Sequence, residues 1–258
     1  MLEMNAPRSV VLLSGGQDSS TVLALANKHS QVVQALSFIY GQQHNIELDA
    51  ARKIAGHFNV PLKFIHISSL QEVSISALLG GDVNKAHPLP RFRDLPASFV
   101  PGRNILFFTL AAAWMTKIGA TQLWTGINAT DYSGYPDCRP EFVKDFEQSV
   151  HTGMDFPEFE VVAPLIDKTK WQTWALAYNE GQEVGELVRT QSHTCYNGDH
   201  ETLHEWGYGC GNCPACEIRA KGWNEFKSWI EALRSVVGGT DFHDIIQRGK
   251  KEGKVSWV

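Results

Sequence analysis

Apolar runs and amphipathic stretches alternate along the first two thirds of the chain. Near-continuous apolar segments at 10–13, 32–40, 62–67 and 122–127 have strand length, and apolar positions at 18–28, 46–58 and 104–118 recur with helical spacing. Strands that lack polar alternation are buried on both faces. Strand–helix alternation then predicts crossover units on a parallel sheet, an α/β fold with helices on both faces. Ligands of such sheets bind beyond the carboxyl ends of the strands. Two spans break the pattern. Residues 80–102 hold Pro88, Pro90, Pro96 and Pro101 and predict a long loop of the kind that forms lids, and 127–140 is polar and aromatic. Near the end, Trp223, Phe226, Ile230, Leu233 and Val237 trace a helical stripe, either docked on its own domain or stabilising a dimer.

The first strand runs straight into Ser14-Gly15-Gly16-Gln17-Asp18-Ser19-Ser20 and then a helix. A strand that turns at once into a helix leaves backbone N–H groups pointing outward, where the helix dipole favours negative charge. Glycines allow a phosphate to approach the backbone, and Ser14, Ser19 and Ser20 add hydroxyl donors. Phosphate or pyrophosphate is the expected guest. Neither the lysine-bearing nucleotide loop nor the G-x-G-x-x-G fingerprint is present.

At 258 residues and 43% hydrophobic composition the chain can bury a sizeable core, as one large domain or one with appendages. A net charge of -5 supplies no electrostatic footprint for nucleic acid. The longest apolar stretch, 11 residues at 105–115, is too short to cross a bilayer, and no targeting segment precedes Val10. The expectation is a soluble cytoplasmic protein that binds neither membrane nor nucleic acid.

Cys210, Cys213 and Cys216 follow a C-x2-C-x2-C spacing, with Cys195 upstream as a fourth ligand. Four thiolates point to a closed structural zinc site, and an iron–sulfur cluster is the alternative. His193, His200 and His204 flank the loop and read as loop histidines rather than ligands. Cys138 stands apart as a small buried residue, with a thiolate nucleophile as the minority reading.

The first loop resembles the SGGxDS loop of the N-type ATP pyrophosphatases, which adenylate a carbonyl oxygen and release pyrophosphate. More specific is the stretch Gly126-Ile127-Asn128-Ala129-Thr130-Asp131-Tyr132-Ser133-Gly134-Tyr135-Pro136-Asp137-Cys138-Arg139-Pro140-Glu141-Phe142. It resembles the substrate segment of the 7-cyano-7-deazaguanine synthase family of the queuosine pathway. Tyr40-Gly41-Gln42-Gln43-His44, Phe99-Val100-Pro101-Gly102-Arg103-Asn104, Thr194-Cys195-Tyr196-Asn197-Gly198 and Cys210-Gly211-Asn212-Cys213-Pro214-Ala215-Cys216 match in the same order, so the likeness spans 10–223. The segment between Cys195 and Cys210 is longer than the family loop, and the last 35 residues have no match.

The resemblance implies a Rossmann-like, adenine nucleotide alpha hydrolase-like domain at 1–192, a zinc-binding knuckle at 193–223 and a helical extension at 224–258. It implies a homodimer that converts 7-carboxy-7-deazaguanine and ammonia to the nitrile with ATP and Mg2+, through an adenylated carboxylate and then an adenylated amide. Leu13, Ser14, Gly15, Gly16, Gln17, Asp18, Ser19, Ser20, Thr21, Val22 and Leu23 are then the ATP segment. Ser14, Asp18, Lys170 and Arg103 would carry catalysis. Lys170 would neutralise phosphate, and Arg103 would clamp phosphate or the substrate carboxylate. Among Asp131, Tyr132, Tyr135, Asp137 and Arg139, an aspartate would read the ring's N1–H and amine and a tyrosine would stack on it. Zinc on Cys195, Cys210, Cys213 and Cys216 would be structural and apart from the phosphate chemistry. The rivals are a tRNA thiolase, which the acidic charge disfavours, a nucleotide-binding module without catalysis, and a relative acting on a different acid.

Overall fold

The computed structural model describes residues 6–41, 45–80, 82, 85, 87–129 and 134–257. Asp131 and Tyr132 lie outside the described residues. Strands β1 (Arg8–Leu12), β2 (Gln31–Ile39), β3 (Leu62–His66), β4 (Gln122–Trp124) and β5 (Glu160–Val162) form one parallel sheet in the order β3-β2-β1-β4-β5. The chain winds outward from β1 in one direction and then, through β4, in the other. Beyond the carboxyl ends of β1 and β4 the sheet therefore has its switch point, where open α/β sheets bind ligands.

Side-chain alternation assigns the two faces. Val11 and Leu13 pack with helices α1 (Gln17–His29) and α2 (Ile46–His57), while Val10 and Leu123 pack with helix α4 (Arg103–Ile118) and helix α5 (Pro140–Gly153) on the other side. A four-residue helix α3 (Leu70–Val73) follows β3. Strands β1 to β4 and helices α1, α2 and α4 form where the hydrophobic pattern predicts them, whereas β5 and α5 lie outside the segments it marks. Strand β4 ends at Trp124 rather than at 127, because the chain there turns toward the start of α1: a Cβ on Gly126 would stand 2.9 Å from the Ser19 backbone nitrogen. Residues 87–102 of the predicted loop are less open than a lid. His87, Ala97, Ser98, Phe99 and Val100 are buried, and Phe99 meets Phe92 and Tyr135 at ring separations of 5.4 and 5.3 Å.

A second body of apolar packing lies at the C-terminal side. Helices α6 (Lys170–Asn179), α7 (Gln182–Gln191), α8 (Pro214–Val237) and α9 (Phe242–Lys251) bury Trp174, Tyr178, Trp223, Phe226 and Ile245 together with Cys195, Cys213 and Cys216. Between α7 and α8 a small hairpin pairs β6 (Leu203–His204) with β7 (Gly207–Tyr208). The stripe from Trp223 to Val237 thus docks on its own domain, on a single helix that runs across 223/224. No described helix is long and apolar enough to cross a membrane.

Candidate active site

A cavity of about 350 Å³ opens at the switch point, and Leu13, Ser14, Gly16, Gln17, Asp18 and Ser19 line one end of it. Helix α1 begins after Gly16 with no side chain capping its first turn, so its leading N–H groups remain for an anion. Ser14 Oγ lies 3.0 Å from Ser19 Oγ and accepts from Gly16 N at 3.3 Å, which holds both hydroxyls beside that turn. Gly15 has a different duty. With φ +92°, it seats against α2, where a Cβ would stand 2.1 Å from the carbonyl oxygen of Glu47. Ser20, Thr21, Val22 and Leu23 are fully buried in the helix and are not among the lining residues.

Lys170 opens α6, where the helix dipole disfavours a cation. Its Nζ contacts both carboxylate oxygens of Asp18, at 2.8 and 2.7 Å, so two of the residues predicted for catalysis form one pair at the cavity's edge.

The far end of the cavity is built by α4 and the turn at 136–138. Asn104 N donates to Asp137 Oδ2 at 3.2 Å, and Asn104 Nδ2 donates to the Asp137 carbonyl at 3.1 Å. Asp137 is thereby tied to the start of α4 and is not among the lining residues; burial raises its pKa against the pull of Arg103. Arg103 lines the cavity and faces Tyr40, Tyr135, Asp137 and Cys138. Tyr135 also lines it, with its hydroxyl 2.6 Å from Ser98 Oγ. Arg139 is exposed at the start of α5 and is not a lining residue. Burial, then Asp137, push the Cys138 thiol up to about 11, which leaves it a neutral thiol rather than a nucleophile.

The four cysteines converge as their spacing predicts. Their sulfurs all lie within 4.8 Å of one another, with Cys210 to Cys216 at 3.9 Å and Cys213 to Cys195 at 4.0 Å. A tetrahedron with metal–sulfur bonds of about 2.3 Å has edges of about 3.8 Å, so the donor set fits zinc. The flanking histidines are engaged elsewhere. His193 Nδ1 lies 3.3 Å from His200 Nδ1, and His204 stacks on Trp206 while its Nε2 contacts the Gly209 carbonyl at 2.9 Å.

The expectation that this cluster stands apart from the cavity is corrected by the strand of chain that leads into it. Thr194, Cys195 and Tyr196 all line the cavity, and His193 N donates to the Gly15 carbonyl at 2.9 Å. Arg219 of α8 secures the same stretch. This buried guanidinium donates to the carbonyls of Trp206 (2.9 Å), Arg189 (3.0 Å), Val188 (3.3 Å) and Ser192 (3.4 Å) and to Thr194 Oγ1 (3.2 Å). The carbonyls at the end of α7 are natural acceptors for a cation.

Several lining residues escaped the sequence reading: Tyr40, Glu47, Phe107, Thr194 and Tyr196. Tyr40, Thr194 and Tyr196 stand in motifs that carry the resemblance. Glu47 carries no such signal, since a glutamate in the first turn of a helix is ordinary on grounds of the dipole alone.

The family model described as "Queuosine biosynthesis protein QueC" matches residues 8–227. A 7-cyano-7-deazaguanine synthase of Wolinella succinogenes is 45% identical over 87% of this chain and 96% of its own. That of an Acidovorax species (strain JS42) is 44% identical over 90% and 97%, and that of Helicobacter pylori strain Shi470 is 39% identical over 84% and 96%. A solved 4-thiouridine synthetase–RNA complex with bound ATP is a more remote likeness, 17% identical, with a TM-score of 0.49 over 86% of this chain and 51% of that one.

Proposed function

The chain belongs to the QueC family of queuosine biosynthesis proteins, and from that premise we propose that it is the ATP-dependent ligase that makes 7-cyano-7-deazaguanine from 7-carboxy-7-deazaguanine and ammonia. One observation carries the reading: the uncapped start of α1 and the Arg103–Tyr135 wall face each other across a single cavity. A carboxylate resists ammonia because oxide is a poor leaving group. Adenylation by ATP supplies a good one, and the same site serves the second adenylation, on the amide oxygen.

The N–H groups of Gln17, Asp18 and Ser19 with the Ser14 and Ser19 hydroxyls stabilise the pyrophosphate as its charge grows. Lys170 neutralises phosphate by shifting its ammonium from Asp18 to the incoming anion. Mg2+ enters as the counter-ion of ATP, and Asp18 takes it only by giving up Lys170. Arg103 holds the substrate carboxylate, and Tyr135 packs against the deazaguanine ring. The edge of that ring, with N1–H and amine donors, is read by Asp131 or Asp137. Cys195, Cys210, Cys213 and Cys216 hold one zinc, which fixes the approach of Thr194 and Tyr196. We further read the enzyme as a cytoplasmic homodimer whose helical tail completes the knuckle's packing.

Purified protein incubated with the acid, ATP, Mg2+ and ammonium is expected to yield the nitrile, AMP and pyrophosphate by mass spectrometry. Formation of neither nitrile nor AMP refutes the reading. Elemental analysis is expected to find about one zinc per chain.

A further inference from the structure

The reaction just proposed has a requirement that none of the residues assigned so far meets. Ammonia brings three hydrogens to the substrate carbon and the nitrile nitrogen keeps none. When ammonia adds to the acyl adenylate, the C–N bond forms and the nitrogen becomes cationic. One proton must leave before the C–O bond breaks and AMP departs with the electron pair. The amide oxygen then displaces pyrophosphate from the second ATP, which leaves an O-adenylated amide with a cationic nitrogen. That nitrogen sheds two more protons, the last as the second C–O bond breaks and AMP leaves. A group beside the reacting carbon must take protons from nitrogen and hand them to solvent.

The cavity's described lining holds two carboxylates, Asp18 and Glu47. Asp18 has both oxygens on Lys170. Among the other lining groups, Cys138 is a neutral thiol, and the hydroxyls of Tyr40, Tyr135 and Tyr196 are all driven upward, chiefly by burial, so they stay protonated. His193 is engaged with His200. Among the described residues, none forms a hydrogen bond or ion pair with the Glu47 carboxylate. Its position is the telling feature. The backbone of Glu47 is seated on Gly15 of the phosphate loop, and its carboxylate faces Arg103 from α4, Tyr40 from the end of β2 and Tyr196 from the approach to the knuckle. It stands where the phosphate end of the cavity meets the end that would hold the substrate carboxylate.

We propose that Glu47 is the catalytic base of this reaction, taking protons from the substrate nitrogen during amide formation and again during nitrile formation. This rests on the functional reading above. Burial, opposed by Arg103, pushes the Glu47 carboxyl up to about 7, which suits a group that must both accept a proton and release it near neutral pH. The first adenylation moves no proton from nitrogen and does not need Glu47.

That division gives the test. In the full chain, Glu47→Gln is expected to keep acid-dependent ATP–pyrophosphate exchange, measured without ammonia, within about threefold of the wild type while amide and nitrile formation fall about 100-fold. The wild-type turnover should rise through a limb near pH 7, and the residual turnover of Glu47→Gln should lack it. Glu47→Asp keeps the carboxylate and is expected to restore part of the nitrile-forming rate. If Glu47→Gln does not fold, Glu47→Asp carries the comparison through a moved limb and a nitrile step slowed more than exchange. Nitrile formation at the wild-type rate, or exchange lost in parallel with it, overturns the proposal. A wild-type protein that supports no exchange with this acid refutes the functional reading itself.

Discussion

At the α1 end of the cavity, Ser14, Gly16, Gln17, Asp18 and Ser19 come from one continuous turn between β1 and α1, whereas the far end gathers Tyr40, Arg103, Tyr135, Cys138 and Tyr196 from separate segments, with Glu47 where the two ends meet. The turn presents backbone N–H groups, whose direction is fixed by the strand and the helix on either side. The far end presents side chains, whose positions depend on packing between α2, α4, the 136–138 turn and the approach to the cysteines. A site of this kind tolerates change differently at its two ends. Altering a side chain in the turn leaves its backbone N–H groups in place, while loosening any one of the distant supports moves a wall.

The far end depends most heavily on the cysteines. Stripping the metal with a chelator is expected to abolish nitrile formation, with a loss of about 100-fold or more, and to speed backbone hydrogen exchange over 192–216 while the sheet stays protected. Unchanged activity in a metal-free protein would show that Thr194 and Tyr196 are held without the knuckle.

Removing Lys170 is the next largest perturbation, because it leaves Asp18 half-covered without its cation. Lys170→Ala is expected to cost about 3 kcal/mol in denaturant unfolding and to slow ATP–pyrophosphate exchange about 100-fold. The double variant with Asp18→Asn should regain most of the stability and none of the activity. Recovery of both would reduce the pair to a structural contact.

Glu47 separates the two ends by pH. Its folded pKa of about 7 lies above the ordinary value of 4.5, so the stability it confers through its bound proton is complete below 4.5 and is lost as pH rises through 7. Replacing it by glutamine should therefore raise stability by about 3 kcal/mol near pH 8 and by about nothing near pH 4, measured by urea unfolding at both. An equal change at both pH values would contradict the desolvated carboxylate.

The smallest effect belongs to Arg139, which is exposed outside the cavity. Arg139→Ala is expected to change stability by less than about 0.5 kcal/mol and turnover by less than about twofold. A tenfold rise in KM for the acid would bring that side chain to the substrate and enlarge the far end.

What could be read in the sequence follows the same division. Strands β1 to β4, the α1 loop and the cysteine cluster are written in local patterns: near-continuous apolar runs, a strand–Gly-Gly–helix turn, a metal-like spacing; β5, three residues long, is too short to stand out. Glu47 and Arg219 are not, because a charged residue on a helix looks like a solvated one until the fold closes over it. Asp137 shows the converse. It sits in the most telling motif of the chain, yet both of its hydrogen bonds go to Asn104, a partner 33 positions away that no local pattern announces. The sequence marks Gly15 for the approach of a phosphate, whereas the fold needs it for the helix it rests on.

The tripeptide Thr194-Cys195-Tyr196 also limits how this protein can be divided or rebuilt. Its middle residue belongs to the four-cysteine cluster and its neighbours to the cavity wall, so no cut between 192 and 197 separates the cavity from the cysteine cluster. A chimera that imports a foreign knuckle must import its own cavity wall as well, and a truncation that discards the knuckle discards part of the pocket. The two parts are expected to exchange between relatives only as one piece.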